Sequence, residues 1–173
     1  MKPGASAETG GSAHMRRETV AAPVSNFQKL KERATPGRGG SPPGLPVFSG
    51  VEAVLAVADF AAAVAFFTQK LGFAVDFSYG DPPFYGVVER DRARICLRLV
   101  HEPVFVGDIR RREELLSAAI TLAGASAVDD LFRGYQAAGV DFHQALTTQP
   151  WGARTFIVSD PDGNLILFAG PGG

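Results

Sequence analysis

The sequence predicts an α+β fold made of two βαβββ modules, and two observations predict it. A helix–glycine–strand run occurs twice, first as Lys70-Leu71-Gly72-Phe73-Ala74-Val75-Asp76-Phe77 and then as Gln136-Ala137-Ala138-Gly139-Val140-Asp141-Phe142. The chain therefore repeats with a period of about 65 residues. Its end reads as a β-hairpin, with apolar runs at 155–159 and 165–169 flanking Asp160-Pro161-Asp162-Gly163-Asn164. Proline sets the first corner there, and Gly and Asn tolerate the φ > 0 of a tight reversal. The folded domain is expected over 47–173, with module one at about 50–103 and module two at about 115–171.

Each element has a local reason. Residues 51–57 are β-branched and small, a strand. Asp59 is placed to cap a helix over 60–71, whose apolar face carries Ala63, Phe66, Phe67 and Leu71 at helical spacing. Gly72 stops it. Strands follow at 73–79, 84–89 and 93–100. Gly80-Asp81-Pro82-Pro83 separates the first two, because two prolines withdraw donors from the ladder, and Arg90-Asp91-Arg92 makes the next turn. Residues 101–114 are a charged connector that includes Arg110, Arg111 and Arg112. The order then recurs: a strand at 118–124, a helix at 127–138 with Val128, Leu131, Phe132 and Tyr135 on one side, Gly139 as its stop, and strands at 140–145, 155–159 and 165–169.

Composition bounds the function. With 46% hydrophobic residues the 173-residue chain can bury a core. No apolar run approaches the roughly 18 residues of a membrane span, and the start lacks a secretory leader's apolar stretch. The single cysteine, Cys96, makes neither an internal disulfide nor a thiolate zinc site on its own. A cytoplasmic protein is expected. Residues 1–46 carry seven Lys/Arg against three Glu, whereas 47–173 carry ten against fifteen Asp/Glu. An acidic domain argues against nucleic acid and suits a cationic small molecule, although the same charge also makes an ordinary solvated surface. The basic segment 1–46 is rich in Gly, Pro, Ser and Ala, and a disordered tail is expected. Within it, residues 25–34 suit a short amphipathic helix bearing Phe27 and Leu30, too short to be stable alone.

Several stretches carry a family resemblance: residues 61–73, Asp76-Phe77, Gly86-Val87-Val88, Gln149-Pro150-Trp151-Gly152 and the closing hairpin. Through them the sequence resembles the vicinal oxygen chelate superfamily of glyoxalases, bleomycin-resistance proteins and extradiol dioxygenases, most closely the bleomycin-resistance branch. The resemblance covers nearly all of 47–171 and implies paired half-barrels around a concave cleft. In metal-dependent members four positions present His, Gln or Glu to one divalent ion with an open coordination site. The resemblance puts these positions at Glu52, near Cys96 or Arg98, at Ile120 and at Leu167. Two are hydrocarbon and arginine is no ligand, so neither metal nor other cofactor is expected and no catalytic residue is singled out. Glu52 is then either a surface residue at a strand start or an acidic group lining the cavity. His14, His101 and His143 do not pair with one another at ligand spacing. Nucleophile-elbow, phosphate-loop and dinucleotide signatures are absent from the sequence.

A metal-free member keeps the cleft. The resemblance implies a homodimer that sequesters a cationic or aromatic ligand, with Phe77, Phe84, Tyr85, Trp151 and Glu52 as candidate ligand-binding residues. Rings in a cleft stack on planar ligands and attract cations, but alternating aromatics in strands also build cores. One departure stands out. Antibiotic-binding members carry tryptophans on the first strand of module two, and here that strand, residues 118–124, has no aromatic residue. The alternative is a metal-dependent lyase or dioxygenase of the same superfamily with an altered site on Glu52. A regulatory module whose basic tail docks a partner is the third reading.

Overall fold

The structure is a computed structural model that describes residues 50–172. The expected tail at 1–46, with its segment 25–34, lies outside the described residues. Module one runs β1 (Ala53–Val57), α1 (Phe60–Ala65, continued by a π-helical turn over Phe66–Lys70), β2 (Ala74–Gly80), β3 (Pro83–Arg90) and β4 (Ala93–Leu99). A connector with a one-turn helix α2 (Ile109–Arg112) leads to module two: β5 (Leu116–Thr121), α3 (Ala125–Ala137), β6 (Phe142–Thr148), β7 (Arg154–Ser159) and β8 (Leu165–Gly170). Each module forms one four-stranded sheet, in the orders β1-β4-β3-β2 and β5-β8-β7-β6. The first and last strands of each module lie parallel, and the remaining neighbours are antiparallel. The α+β fold of two βαβββ modules is the one expected.

The helix ends follow local chemistry. Asp59 caps α1, its Oδ1 accepting from the Ala62 amide at 2.9 Å. Gly72 and Gly139 end the two helices at φ 72° and 64°, in the left-handed region that favours glycine. The π-helical turn was not expected. Phe66 and Phe67 both enter the core, as their spacing from Ala63 leads one to expect, and the Thr68 hydroxyl bonds the Val64 carbonyl at 2.8 Å. Boundaries moved elsewhere for hydrogen-bonding reasons. The Val140 amide returns to the Tyr135 carbonyl at 3.0 Å as a helix cap, so β6 begins at Phe142. Pro83 opens β3 opposite Gly80, a first-strand position where a missing donor is tolerated.

One core serves both modules. Leu55, Val57, Phe67, Leu71, Ile95 and Leu97 from the first pack in the same cluster as Val128, Tyr135, Phe156, Val158, Ile166 and Phe168 from the second. Polar links reinforce it. The buried Tyr135 hydroxyl donates to the Leu71 carbonyl at 3.1 Å, and Arg90 Nη1 donates to the same carbonyl at 2.6 Å and to Tyr135 Oη at 3.3 Å. Burial pushes the Tyr135 phenol up to about 12. Lys70 Nζ reaches the carbonyls just past the end of α3, Ala138 at 3.1 Å and Gly139 at 2.9 Å. From the closing hairpin, Asn164 Nδ2 donates to the Ala56 carbonyl at 3.0 Å and Asp162 Oδ1 accepts from the Ala58 amide at 2.9 Å.

The connector lies outside this core. Val104, Phe105, Val106 and Ile109 are exposed along it, Val106 by 90%. Arg110 alone among its basic residues ties back deeply, donating to Asn164 Oδ1 at 2.6 Å with its guanidinium 4.4 Å over the Phe105 ring. Among the described residues no helix is long and apolar enough to cross a membrane.

Candidate functional site

Strand periodicity sorts the first sheet into two faces. Leu55, Val57, Val88, Ile95 and Leu97 point into the core. The alternate residues Val54 of β1, Tyr85, Val87 and Glu89 of β3, and Arg94, Cys96 and Arg98 of β4 take the open face, and Glu52 precedes Ala53 there. Register aligns them, with Tyr85 opposite Arg98, Val87 opposite Cys96 and Glu89 opposite Arg94. A β-bulge between Val75 and Phe77 inserts Asp76 into β2 and brings it to the same face.

At the centre of this face stands Arg94. Its Nε donates to Glu52 Oε1 at 2.6 Å, its Nη2 to Asp76 Oδ2 at 2.8 Å and its Nη1 to Glu89 Oε2 at 2.5 Å. Hydrogen bonds to Glu52 and then Asp76 hold the guanidinium charged well above even the usual arginine range. The other oxygen of Glu52 accepts from Cys96 Sγ at 3.2 Å. Arg94 first and Cys96 second hold the Glu52 carboxyl below its ordinary value. Burial pushes the Cys96 thiol up, so it is a hydrogen-bond donor here rather than a thiolate. Cys96 also holds the neighbouring Tyr85 hydroxyl above the ordinary phenol value.

Aromatic rings flank the charged centre. Phe77 is 44% exposed with its ring 6.0 Å from that of Tyr85. Tyr79, 66% exposed, meets Phe84 edge-on at 5.6 Å, and the Arg98 guanidinium lies 5.3 Å from the Phe84 ring centre. Exposed Val54 extends the apolar surface, whereas exposed Val75, opposite Val88, lies on the other face of β2. Of the residues singled out from sequence, Glu52, Phe77, Phe84 and Tyr85 thus gather on one sheet. Trp151 does not join them: it is half-buried in the loop between β6 and β7, on the second module. That loop is closed by the Gln149 amide bonding the Ala153 carbonyl at 2.8 Å and by Gln149 Nε2 bonding Thr155 Oγ1 at 2.8 Å. Sequence reasoning missed Asp76, Tyr79, Glu89 and Arg94. Alternation of Arg94, Cys96 and Arg98 along one strand was the available signal for Arg94.

Ile120 requires a correction. It packs against the core and does not face the open side of the second sheet. The α3 cap is Gly124, and the residue seven before it is Ser117, just as Glu52 is seven before Asp59. Register agrees, because Ala53 opposite Ile95 matches Ala118 opposite Ile166, so Ser117 answers to Glu52 and Leu167 to Cys96. Ile120 is three residues from Ser117, and any odd slip in placing a strand exchanges its faces. The residues present do not fit a divalent ion. Both Glu52 oxygens are engaged, a guanidinium sits among the carboxylates, and the second module offers a hydroxyl and a hydrocarbon. No group of three His, Cys, Asp or Glu among the described residues is arranged to hold a metal.

Two concavities lie mainly beyond this face, the first of them reaching it at Arg94. One of about 1490 Å³ opens between the modules beside Lys70, Arg90, Ala119, Leu131 and Tyr135. Lys70 and Arg90 are spent there on the protein's own carbonyls, and the other walls named are mostly apolar. The smaller, about 510 Å³, lies under the connector beside Phe105, Arg110 and Asp162. The open face of the first sheet has the richer chemistry, with exposed rings around paired charges.

Residues 51–168 match the family model described as Glyoxalase/Bleomycin resistance protein/Dioxygenase superfamily. Among solved structures, a glyoxalase/bleomycin resistance protein/dioxygenase from Alicyclobacillus acidocaldarius is 20% identical, with 70% of this chain and 89% of that one covered and a TM-score of 0.58. A bleomycin-binding protein from bleomycin-producing Streptomyces verticillus, complexed with copper(II)-bleomycin, is 25% identical over 75% of this chain and 99% of that one, TM-score 0.53. A lactoylglutathione lyase from Agrobacterium tumefaciens is 17% identical over 73% and 96%, TM-score 0.56. No curated protein sequence matches the chain.

Proposed function

Since this chain belongs to the glyoxalase/bleomycin resistance protein/dioxygenase superfamily, we propose that it is a metal-free binding protein of the bleomycin-resistance type, taking a cationic or aromatic ligand on the open face of its first sheet. The observation that carries this reading is the exposed set Phe77, Tyr79 and Phe84, with Tyr85 beside them, around two guanidinium groups, Arg94 and Arg98, and three carboxylates. Such rings offer stacking and cation–π contact, and the surplus negative charge favours a cation. Likeness to the Streptomyces verticillus bleomycin-binding protein supports the same class of ligand. A second copy of the chain laid over exposed Val54 and Phe77 would turn the face into a groove, so a homodimer is part of the proposal.

Calorimetric titration of the full chain with metal-free bleomycin tests it, with the fluorescence of Trp151 reporting whether the β6–β7 loop senses the ligand. We expect saturable binding, weakened roughly fivefold by either Phe77→Ala or Tyr85→Ala, the equivalent of about 1 kcal/mol per ring. Flat titrations with bleomycin and with small planar aromatic cations would overturn the reading. Stoichiometric divalent metal, with turnover abolished in Glu52→Ala, would replace it by a metal-dependent lyase or dioxygenase. Light scattering at micromolar concentration addresses the dimer, and a monomer with and without ligand would count against a groove between subunits.

A further inference from the structure

Strand register divides the open face into three rows. Glu89 and Arg94 stand opposite each other in the first, where Glu52 and Asp76 join them. Val54, Cys96, Val87 and Phe77 make the second, and Ala56, Arg98, Tyr85 and Tyr79 the third. The charges are therefore segregated. All three carboxylates bond Arg94 in the first row, whereas Arg98 lies four residues farther along β4, roughly 13 Å at about 3.3 Å per residue. Arg98 is exposed and has no ion pair among the described residues. Its contact is with a ring, the guanidinium lying 5.3 Å from the centre of Phe84. That ring is itself held. Tyr79 meets it edge-on at 5.6 Å, and it lies so close over Gly80 that a Cβ there would come within 2.7 Å of Cε1. Stacking fixes the guanidinium and leaves its N–H edges open. A concavity adjoins the same row: Ala56, the register partner of Arg98, also lines the space of about 510 Å³ under the connector.

We infer that Arg98 selects among aromatic ligands at this face: it pairs with a carboxylate carried by a ligand whose ring lies over Val54, Phe77 and Tyr85. The inference rests on the binding function proposed above and narrows its ligand to an aromatic acid. Arginine's planar fork matches a carboxylate through two parallel hydrogen bonds, and a guanidinium already stacked on Phe84 has little freedom left to lose on pairing. The apolar second row lies directly beside the third, so a ring resting there brings a carboxylate attached to it within reach of Arg98. The first row works in the same direction. Its three carboxylates outnumber its one guanidinium, so it repels an anionic group and turns the acid end of the ligand towards Arg98. One end of the face therefore attracts the acid, the other rejects it, and the ligand is held in a single orientation along the strands. The hollow beside Ala56 gives the acid group a partly walled place to sit.

The test titrates the full chain, Arg98→Gln and Arg98→Lys with 2-naphthoate and with its neutral isostere 2-naphthamide by calorimetry. The wild-type chain is expected to bind the acid about fivefold more tightly than the amide, the upper end for an exposed pair. Added salt should narrow that gap by screening. Arg98→Gln removes the charge and should bring the two affinities within about twofold of each other, while Arg98→Lys, which keeps the charge without the fork, should fall between. Equal wild-type affinities, a gap that salt leaves unchanged, or a gap that survives Arg98→Gln would each overturn the inference. If circular dichroism shows Arg98→Gln misfolded, the wild-type gap and its salt dependence decide. Bleomycin titrated in parallel separates this outcome from failure of the binding function. Bleomycin uptake with the two naphthalene probes alike or flat overturns the role of Arg98 alone, whereas flat titrations throughout overturn both.

Discussion

Glu52 shows how one side chain can be legible as a type and opaque in its role. It was visible from sequence as an acid at a strand start, but its partners Arg94 and Cys96 lie 42 and 44 residues away. Only strand register brings them together. Because the bonds from Arg94 and Cys96 lower its native pKa below the ordinary 4.5, the unfolded chain binds its proton more readily, and folding gains from Glu52 above that pH. The gain is lost as pH falls through the lowered native value. Urea-unfolding midpoints of wild type and Glu52→Gln should therefore differ at pH 6 and converge as pH drops below 4.5. A difference that persists or grows in acid would show that Glu52 acts through something other than its charge. Trp151 illustrates the opposite limit. Its loop composition marked it as a site candidate, but nothing local to Gln149-Pro150-Trp151-Gly152 shows which sheet the ring will adjoin.

At the scale of elements, the parts that rest on neighbours in sequence were readable. The Asp59 cap, the glycine stops at 72 and 139 and the Asp160–Asn164 turn all depend on residues within a few positions. Asp160 Oδ1 accepting from the amides of Asp162 at 2.9 Å and Asn164 at 2.7 Å is what that turn's composition encodes. The start of α3 was not readable, because Gly124 caps it without a side-chain bond, and that displaced the matching position on β5 by three residues, from Ser117 to Ile120, which exchanges the strand's faces. The β2 bulge was equally hidden, since an extra residue shows only against its partner strand. Gly86 permits the sheet to pack where it does: a Cβ there would meet the Phe77 carbonyl at 2.8 Å and the Phe60 ring at 2.9 Å. Gly86→Ala should cost about 1–3 kcal/mol by overpacking and disturb the bulge that presents Asp76 and Phe77. Thermal unfolding and ligand titration read the two effects, and an unchanged melting temperature would mean that the strands yield at no cost.

For the whole molecule, the repeat makes two similar modules into unequal partners. They share one core, yet the open face of the first is charged and aromatic while the second places Ser117 and Leu167 at the matching positions. The two connecting layers, apolar core and Lys70–Gly139 or Arg90–Tyr135 contacts, hold the modules together without help from the chain segment that joins them. That segment, with Val106 nearly fully exposed and basic residues 110–112 close behind, is where a protease meets the described fold first. Limited trypsin treatment should cut there ahead of the short Arg90–Arg92 turn. The two fragments should leave a sizing column together under native conditions and separate only in denaturant. Fragments that part company in buffer would mean that the connector, and not the shared core, keeps the halves together. If they stay together, the protein behaves as a heterodimer whose subunits happen to be joined by a peptide bond.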